Sequence, residues 1–304
     1  MRVSVWGTRG SLPVSGPSVL RYGGSTPCVS IECGDEPLLV LDAGTGIFNL
    51  AKTLGRPAAF RCTIALTHLH WDHMMGLPFF FPADQSDAET LVLGPGDHTR
   101  DGVVSLRAAL DSVLRPPGFP ITLDGLEGRW RYQTLDDDTV QLGPITVMTR
   151  HVRHRGPTLG MRVEADGASL AYIPDHGPGA EGRGPEQDDL VPDAVHELVD
   201  GVDLLVHDAQ QTPSQYDRFR HFGHCTPAYA VKVAKATDAR KLLLFHHDPS
   251  RDDDGVDGML DDARREAAEI GYVGSIDAAA EGDVHELSRS EPPSTNPPST
   301  EALR

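Results

Sequence analysis

The chain has 304 residues, with 45 acidic against 27 basic side chains and a formal charge of −18. Apolar residues at 39% and charged residues at 24% describe a globular chain long enough for a full core, not a disordered one. The acidic balance argues against a broad nucleic-acid footprint, which needs clustered Lys and Arg, but leaves room for a small anion held by metal or by a local Arg.

Short apolar runs between turn residues predict strands at 3–6, 27–32 and 38–41. The turn Asp42-Ala43-Gly44-Thr45-Gly46 leads into a helix over 45–53. Strands follow at 64–66 and 91–93, and helical spacing of apolar residues predicts a helix over 102–114, stopped by Pro116-Pro117. Strands at 145–149, 159–164 and 170–173 precede a short helix at 192–199. The near-continuous Leu and Val of 202–206 and 241–245 mark fully buried strands. Between them Thr226-Pro227 opens a helix over 228–236, with Thr as cap and Pro at the first position. A last helix spans 256–270, with Gly271 just past it. Residues 1–287 read as one domain, and the Pro-, Ser- and Thr-rich residues 288–304 as a disordered tail.

No run reaches the roughly 18–20 apolar residues of a membrane span, and the first ten residues hold no signal-peptide core, so a cytoplasmic protein is expected. The four cysteines are scattered without a C-x-x-C pair, which argues against a disulfide framework or a zinc ribbon. Fourteen histidines is a high count, and several cluster.

The densest cluster is Thr67-His68-Leu69-His70-Trp71-Asp72-His73, directly after an apolar strand. Alternation along an extended segment puts His68 and His70 on one side, where both can meet one metal; Asp72 and His73 then turn toward a second position. Imidazole with carboxylate suits Zn, Mn, Fe or Ni.

This segment resembles the HxHxDH signature of the metallo-β-lactamase superfamily. The resemblance implies an α+β fold: a four-layer αββα sandwich, two mixed sheets flanked by helices, with metal at the strand ends. It also implies further ligands in a set order. His154, before the Gly160-Met161-Arg162 strand, is similar to the third histidine of the phosphodiesterase branch, with His151 as the alternative. Asp175, after the strand ending Tyr172-Ile173-Pro174, matches the bridging carboxylate. His246 matches the last ligand, with His247 beside it.

Two segments resemble ribonuclease Z-like and phosphoribosyl 1,2-cyclic phosphate phosphodiesterase-like proteins. One is Val206-His207-Asp208-Ala209. The other is Gly223-His224-Cys225-Thr226, in which the resemblance makes His224 the proton donor, with Asp72 as both ligand and catalytic partner. The glycine-rich segments around Arg9 and Arg21 are also similar to the branch, and either arginine could pair a phosphate; Asp42 could hydrogen-bond a ligand histidine. Trp71 departs from the small or polar residue of many relatives and could stack on the substrate.

The activity implied is hydrolysis of a small cyclic or linear phosphodiester by a hydroxide bridging two divalent ions, zinc foremost and manganese or iron next. Other expectations on the same scaffold are a lactonase, thioesterase or β-lactamase, or an iron-dependent non-hydrolytic enzyme. No basic protruding arm accompanies the motifs, and residues 176–193 are Gly/Pro-rich but acidic, so tRNA and other nucleic acids are not the expected partner. A small anionic substrate is expected, and a homodimer is compatible with the pattern.

Overall fold

A computed structural model describes residues 1–99, 102–180 and 191–288; the predicted tail and the centre of the acidic segment lie outside these residues, the tail from 289 onward. Two seven-stranded sheets carry the fold. The first runs, edge to edge, β16 (Val284–Glu286), β1 (Arg2–Gly7), β2 (Cys28–Glu32), β3 (Leu38–Leu41), β4 (Arg61–Ala65), β5 (Glu89–Pro95) and β8 (Arg129–Leu135). The second runs β15 (Ser275–Ala278), β14 (Lys241–Phe245), β13 (Leu204–Asp208), β12 (Ala168–Ile173), β11 (Leu159–Ala165), β10 (Ile145–His151) and β9 (Thr139–Leu142). In the order given, the first sheet has three antiparallel pairings followed by three parallel ones, and the second has three parallel pairings followed by three antiparallel ones. A separate ribbon pairs β6 (Asp97–Thr99) with β7 (Gly102–Val104).

The sheets face each other across an apolar layer that includes Val5, Leu41, Val147, Tyr172 and Phe245. The outer face of the first sheet is covered by α1 (Ile47–Leu54) and α3 (Leu106–Val113), and α2 (Trp71–Met74) follows β4. The outer face of the second is covered by α4 (Asp193–Val199), α6 (Pro227–Ala236) and α7 (Asp253–Ile270). This is the four-layer αββα arrangement. Each fully buried Leu, Ile or Phe of these layers contributes about 1.5–3 kcal/mol by leaving water.

Local chemistry explains most boundaries. Thr226 caps α6 by accepting from the Tyr229 N–H, with Pro227 at the first position. Gly271, at φ 73°, ends α7. The helix expected over 102–114 begins four residues later. Ser105 caps it, accepting from the Ala108 N–H, and 102–104 pair with β6 instead. A helix not foreseen, α5 (Pro213–Phe219), starts at a reciprocal cap between Thr212 and Gln215.

The parallel strands β12, β13 and β14 all point their carboxyl ends the same way. Asp175, Asp208 and His246 lie at or just beyond those ends. The Leu159 N–H donates to the Thr67 carbonyl at 2.9 Å, which joins the other sheet's histidine segment to the same rim.

Candidate metal centre

Every metal ligand expected from the sequence gathers at this rim. His68, His70, His154 and Asp175 form one group of converging donor atoms. Asp72, His73 and His246 form a second. Asp175 joins the two through different oxygens. Its Oδ2 lies 3.4 Å from His154 Nε2 and 3.8 Å from His68 Nε2. Its Oδ1 lies 3.0 Å from His73 Nε2 and 3.2 Å from His246 Nε2.

The outward nitrogens of these rings are already used, and that fixes what faces inward. His73 Nδ1–H donates to Asp42 Oδ2 at 2.8 Å, and His154 Nδ1–H donates to the Gly223 carbonyl at 2.7 Å. The Thr67 hydroxyl donates to Asp42, so it accepts from His68 Nδ1–H at 3.1 Å. These rings therefore turn Nε2 toward a carboxylate that is itself an acceptor, and wherever the ring is neutral a lone pair faces it. His68 Nε2 is sealed from solvent without a hydrogen-bond partner. Lone pairs and carboxylate oxygens at 3.0–3.8 Å repel one another unless a cation or a proton lies between them. The donor set thus fits divalent ions.

The proton affinities follow from the same crowding. Burial alone would lower the pKa of His73, but Asp175, Asp72 and Asp42 outweigh it and hold it well above the usual value. Burial pushes His68 well below its usual range and His154 down to about 4. Burial would raise Asp72, yet His73 and His246 keep its carboxyl far below the ordinary range.

Asp42 is the support behind the cluster. It is fully buried, at φ 59°, and accepts from the Thr67 N–H at 2.7 Å, the Tyr172 hydroxyl at 3.0 Å and the His73 ring. His246 is also left-handed, at φ 59°. Such positions cost about 1–3 kcal/mol and persist only where surrounding contacts enforce them. The turn sends His246 into the cluster. His247 stays buried behind it, its Nε2–H donating to the Ala279 carbonyl at 2.9 Å. His151, the alternative to His154, is exposed and bonds Asp136 and Asp137 away from the centre.

His224 stands beside the bridge, its Nδ1 3.8 Å from Asp175 Oδ2 and 2.8 Å from Asp208 Oδ2. Burial would depress the pKa of this ring, but Asp208 more than offsets it and the net shift is upward. Asp208 is the residue that sequence reasoning left unassigned; its signal was the segment Val206 to Ala209 preceding the Gly223-His224 element. Cys225 is packed behind, its Sγ donating to the Asp208 carbonyl at 3.0 Å.

The two arginines expected at a phosphate are placed otherwise. Arg9 is fully buried, and its guanidinium donates to the carbonyls of Gly23 at 2.8 Å and Arg251 at 2.6 Å. It ties three loops together. Arg21 is drawn to the acidic start of α7, with Asp254 at 2.7 Å and Asp257 at 2.6 Å. Trp71 opens α2 beside His70 and is 57% exposed.

Comparison with known proteins agrees with this fold. The family model described as "Beta-lactamase superfamily domain" matches residues 39–247. The uncharacterized protein Rv1339 of Mycobacterium tuberculosis is 29% identical over 261 residues, covering 83% of this chain and 84% of that protein. A ribonuclease Z of Natronomonas pharaonis is 27% identical over 282 residues, covering 81% of this chain and 86% of that enzyme. The metallo-β-lactamase fold protein YhfI of Bacillus subtilis superposes with a TM-score of 0.67 at 19% identity, over 93% of this chain and 98% of that one.

Proposed function

We propose, from the premise that this chain belongs to the β-lactamase superfamily, that it is a metal-dependent phosphodiesterase acting on a small anionic substrate. The observation that carries this reading is Asp175, whose two oxygens each face a separate histidine group while the His224–Asp208 pair stands at the same carboxylate.

His68, His70 and His154 would hold one divalent ion, and Asp72, His73 and His246 the other, with Asp175 between them. A bound pair of zinc, manganese or iron ions would polarise phosphate oxygens and supply an acidified water for attack.

The chain's own residues then set the geometry. Asp42 and Thr67 hold the rings of His73 and His68 so that Nε2 faces inward. Asp208 accepts from His224 Nδ1–H, which raises the proton affinity of the ring and would leave Nε2 to protonate a leaving oxygen. Asp72 is held by the Ser11 N–H at 2.7 Å, so the loop at residues 10–12 closes over the second group. The exposed ring of Trp71 would form part of the rim against which the substrate packs. A charge of −18 disfavours a long polyanion, so the substrate is taken as a small anion rather than a nucleic acid.

Hydrolysis of bis(p-nitrophenyl) phosphate by protein stripped of metal and reloaded with Zn, Mn or Fe tests this reading. Turnover should require metal and disappear in Asp175→Ala. Two bound ions with no turnover of any phosphodiester would overturn it in favour of lactone, thioester or redox chemistry.

A further inference from the structure

The turn that closes over the second histidine group has a serine at its strained position. Ser11 stands at φ 65°, and the Leu12 N–H donates back to the Gly10 carbonyl at 2.7 Å. A three-residue turn with a positive central φ is rare and strained, and glycine relieves the strain because it lacks a Cβ. The backbone N–H of Ser11 donates to Asp72 Oδ2 at 2.7 Å, a bond that glycine would make equally well. What the serine adds at this position is its hydroxyl.

That hydroxyl is held from behind. Gln210 is buried, and its Nε2–H donates to Ser11 Oγ at 3.0 Å. The backbone of Gln210 is itself fixed. Its N–H donates to Asp208 Oδ1 at 2.9 Å, its carbonyl accepts from Arg251 Nη2–H at 2.8 Å, and the Arg251 carbonyl accepts from buried Arg9 at 2.6 Å. A Cβ on Gly10 would lie 2.4 Å from the His246 ring and 2.8 Å from Gln210 Nε2, so turn, ring and amide pack against one another. Because Ser11 Oγ accepts from Gln210, its own hydrogen points elsewhere, and among the described residues it meets no acceptor. Ser11 is exposed, while Asp72, His246 and Gln210 around it are buried. An oriented donor with a free hydrogen thus stands on the open side of the rim, within one residue's reach of both the second histidine group and the Asp208–His224 pair.

We propose that Ser11 is a substrate-binding residue whose hydroxyl donates a hydrogen bond to a non-bridging oxygen of the scissile phosphate, with Gln210 as the residue that positions it. The inference rests on the phosphodiesterase reading. It adds an uncharged donor for the phosphate in a site whose two expected arginines are turned elsewhere. A hydroxyl given to an anionic oxygen belongs to the stronger class of hydrogen bonds, which accounts for a serine kept where glycine would be relaxed.

The test uses metal-loaded protein, bis(p-nitrophenyl) phosphate as substrate and inorganic phosphate as a competing ligand. Ser11→Gly keeps the N–H toward Asp72, removes the hydroxyl and relaxes the turn. It should lower kcat/KM about 10–100-fold and weaken inorganic phosphate, followed by calorimetric titration, about tenfold. Its metal content should match that of the unmodified chain and its melting midpoint should not fall, a combination that damage to the fold does not give. Ser11→Ala should lose the same activity without the relief of strain. Gln210→Met keeps the volume, removes the amide donor and should fall between Ser11→Gly and the unmodified chain. Activity and phosphate binding in Ser11→Gly close to those of the unmodified chain overturn the assignment alone. Loss of metal from Ser11→Gly also overturns it, since the turn would then serve only to hold Asp72. No metal-dependent turnover in the unmodified chain overturns the phosphodiesterase reading, and this inference with it.

Discussion

Asp42 shows how much a single side chain outside the ligand set decides. It takes hydrogen bonds from the Thr67 amide and hydroxyl, the Tyr172 hydroxyl and the His73 ring, all while fully buried. Asp42→Asn keeps the shape but returns an NH₂ toward donors. The second ion should then bind about 10–100-fold more weakly, read by metal content after dialysis against a graded chelator; full occupancy at the same chelator level would count against the role. Gly10 is bound by a steric limit instead, because a Cβ there would lie 2.4 Å from the His246 ring. Gly10→Ala should therefore cost metal affinity more than stability, visible as lost metal with a melting midpoint close to that of the metal-free parent. The residues of the cluster were legible in the sequence because the imidazoles stand in one segment, or in segments matching a familiar order. The phosphate contacts assigned to Arg9 and Arg21 were not. A glycine-rich turn near an arginine looks the same whether the guanidinium faces a ligand or, as here, carbonyls of distant loops and α7.

At the scale of elements, capping and burial decide how firmly the site is presented. α6 follows directly on the Gly223-His224-Cys225 segment, so its first turn anchors the proposed proton donor. Thr226→Ala removes the acceptor of the Tyr229 N–H and should destabilise by about 1 kcal/mol in urea unfolding. His224→Ala should instead leave the unfolding midpoint nearly in place and lower kcat about 10²–10⁴-fold. A drop of only twofold would remove the proton-donor role. Helices with a cap signal and strands of continuous Leu and Val could be read from sequence, because their signals are local. β8 and β9 could not: their residues alternate between exposed and half-buried at a sheet edge, so charged and polar side chains interrupt the pattern. β8 pairs with β5, outside any local window, whereas β9 pairs with β10 across the short turn at Gly143-Pro144, a local pairing its interrupted pattern hides.

For the whole molecule, the proposed ions should couple their binding to folding. Six histidines and three carboxylates, His68, His70, His73, His154, His224, His246, Asp72, Asp175 and Asp208, are drawn from both sheets onto one rim, most of them buried. Without ions, His68 and His154, whose proton affinity burial lowers, turn Nε2 lone pairs toward Asp175 Oδ2, while His73 keeps a proton against Oδ1. Ions that bind only the folded chain stabilise it by RT ln(1 + [L]/Kd), about 2.7 kcal/mol at a hundredfold excess over Kd. For a domain of this size that corresponds to about 5–10 °C in Tm. Chelation should therefore lower the melting midpoint of the unmodified chain by that amount, and restored zinc should recover it. Asp175→Ala should separate the two effects. It removes the carboxylate that faces both histidine groups and that pairs with the His73 ring, so its metal-free form should melt somewhat below that of the unmodified chain, and it should gain little on adding zinc. A midpoint indifferent to chelator in the unmodified chain would mean that the rim holds its shape with protons alone. Ion binding would then add nothing to the fold, and the link between the two sheets would rest on their apolar layer.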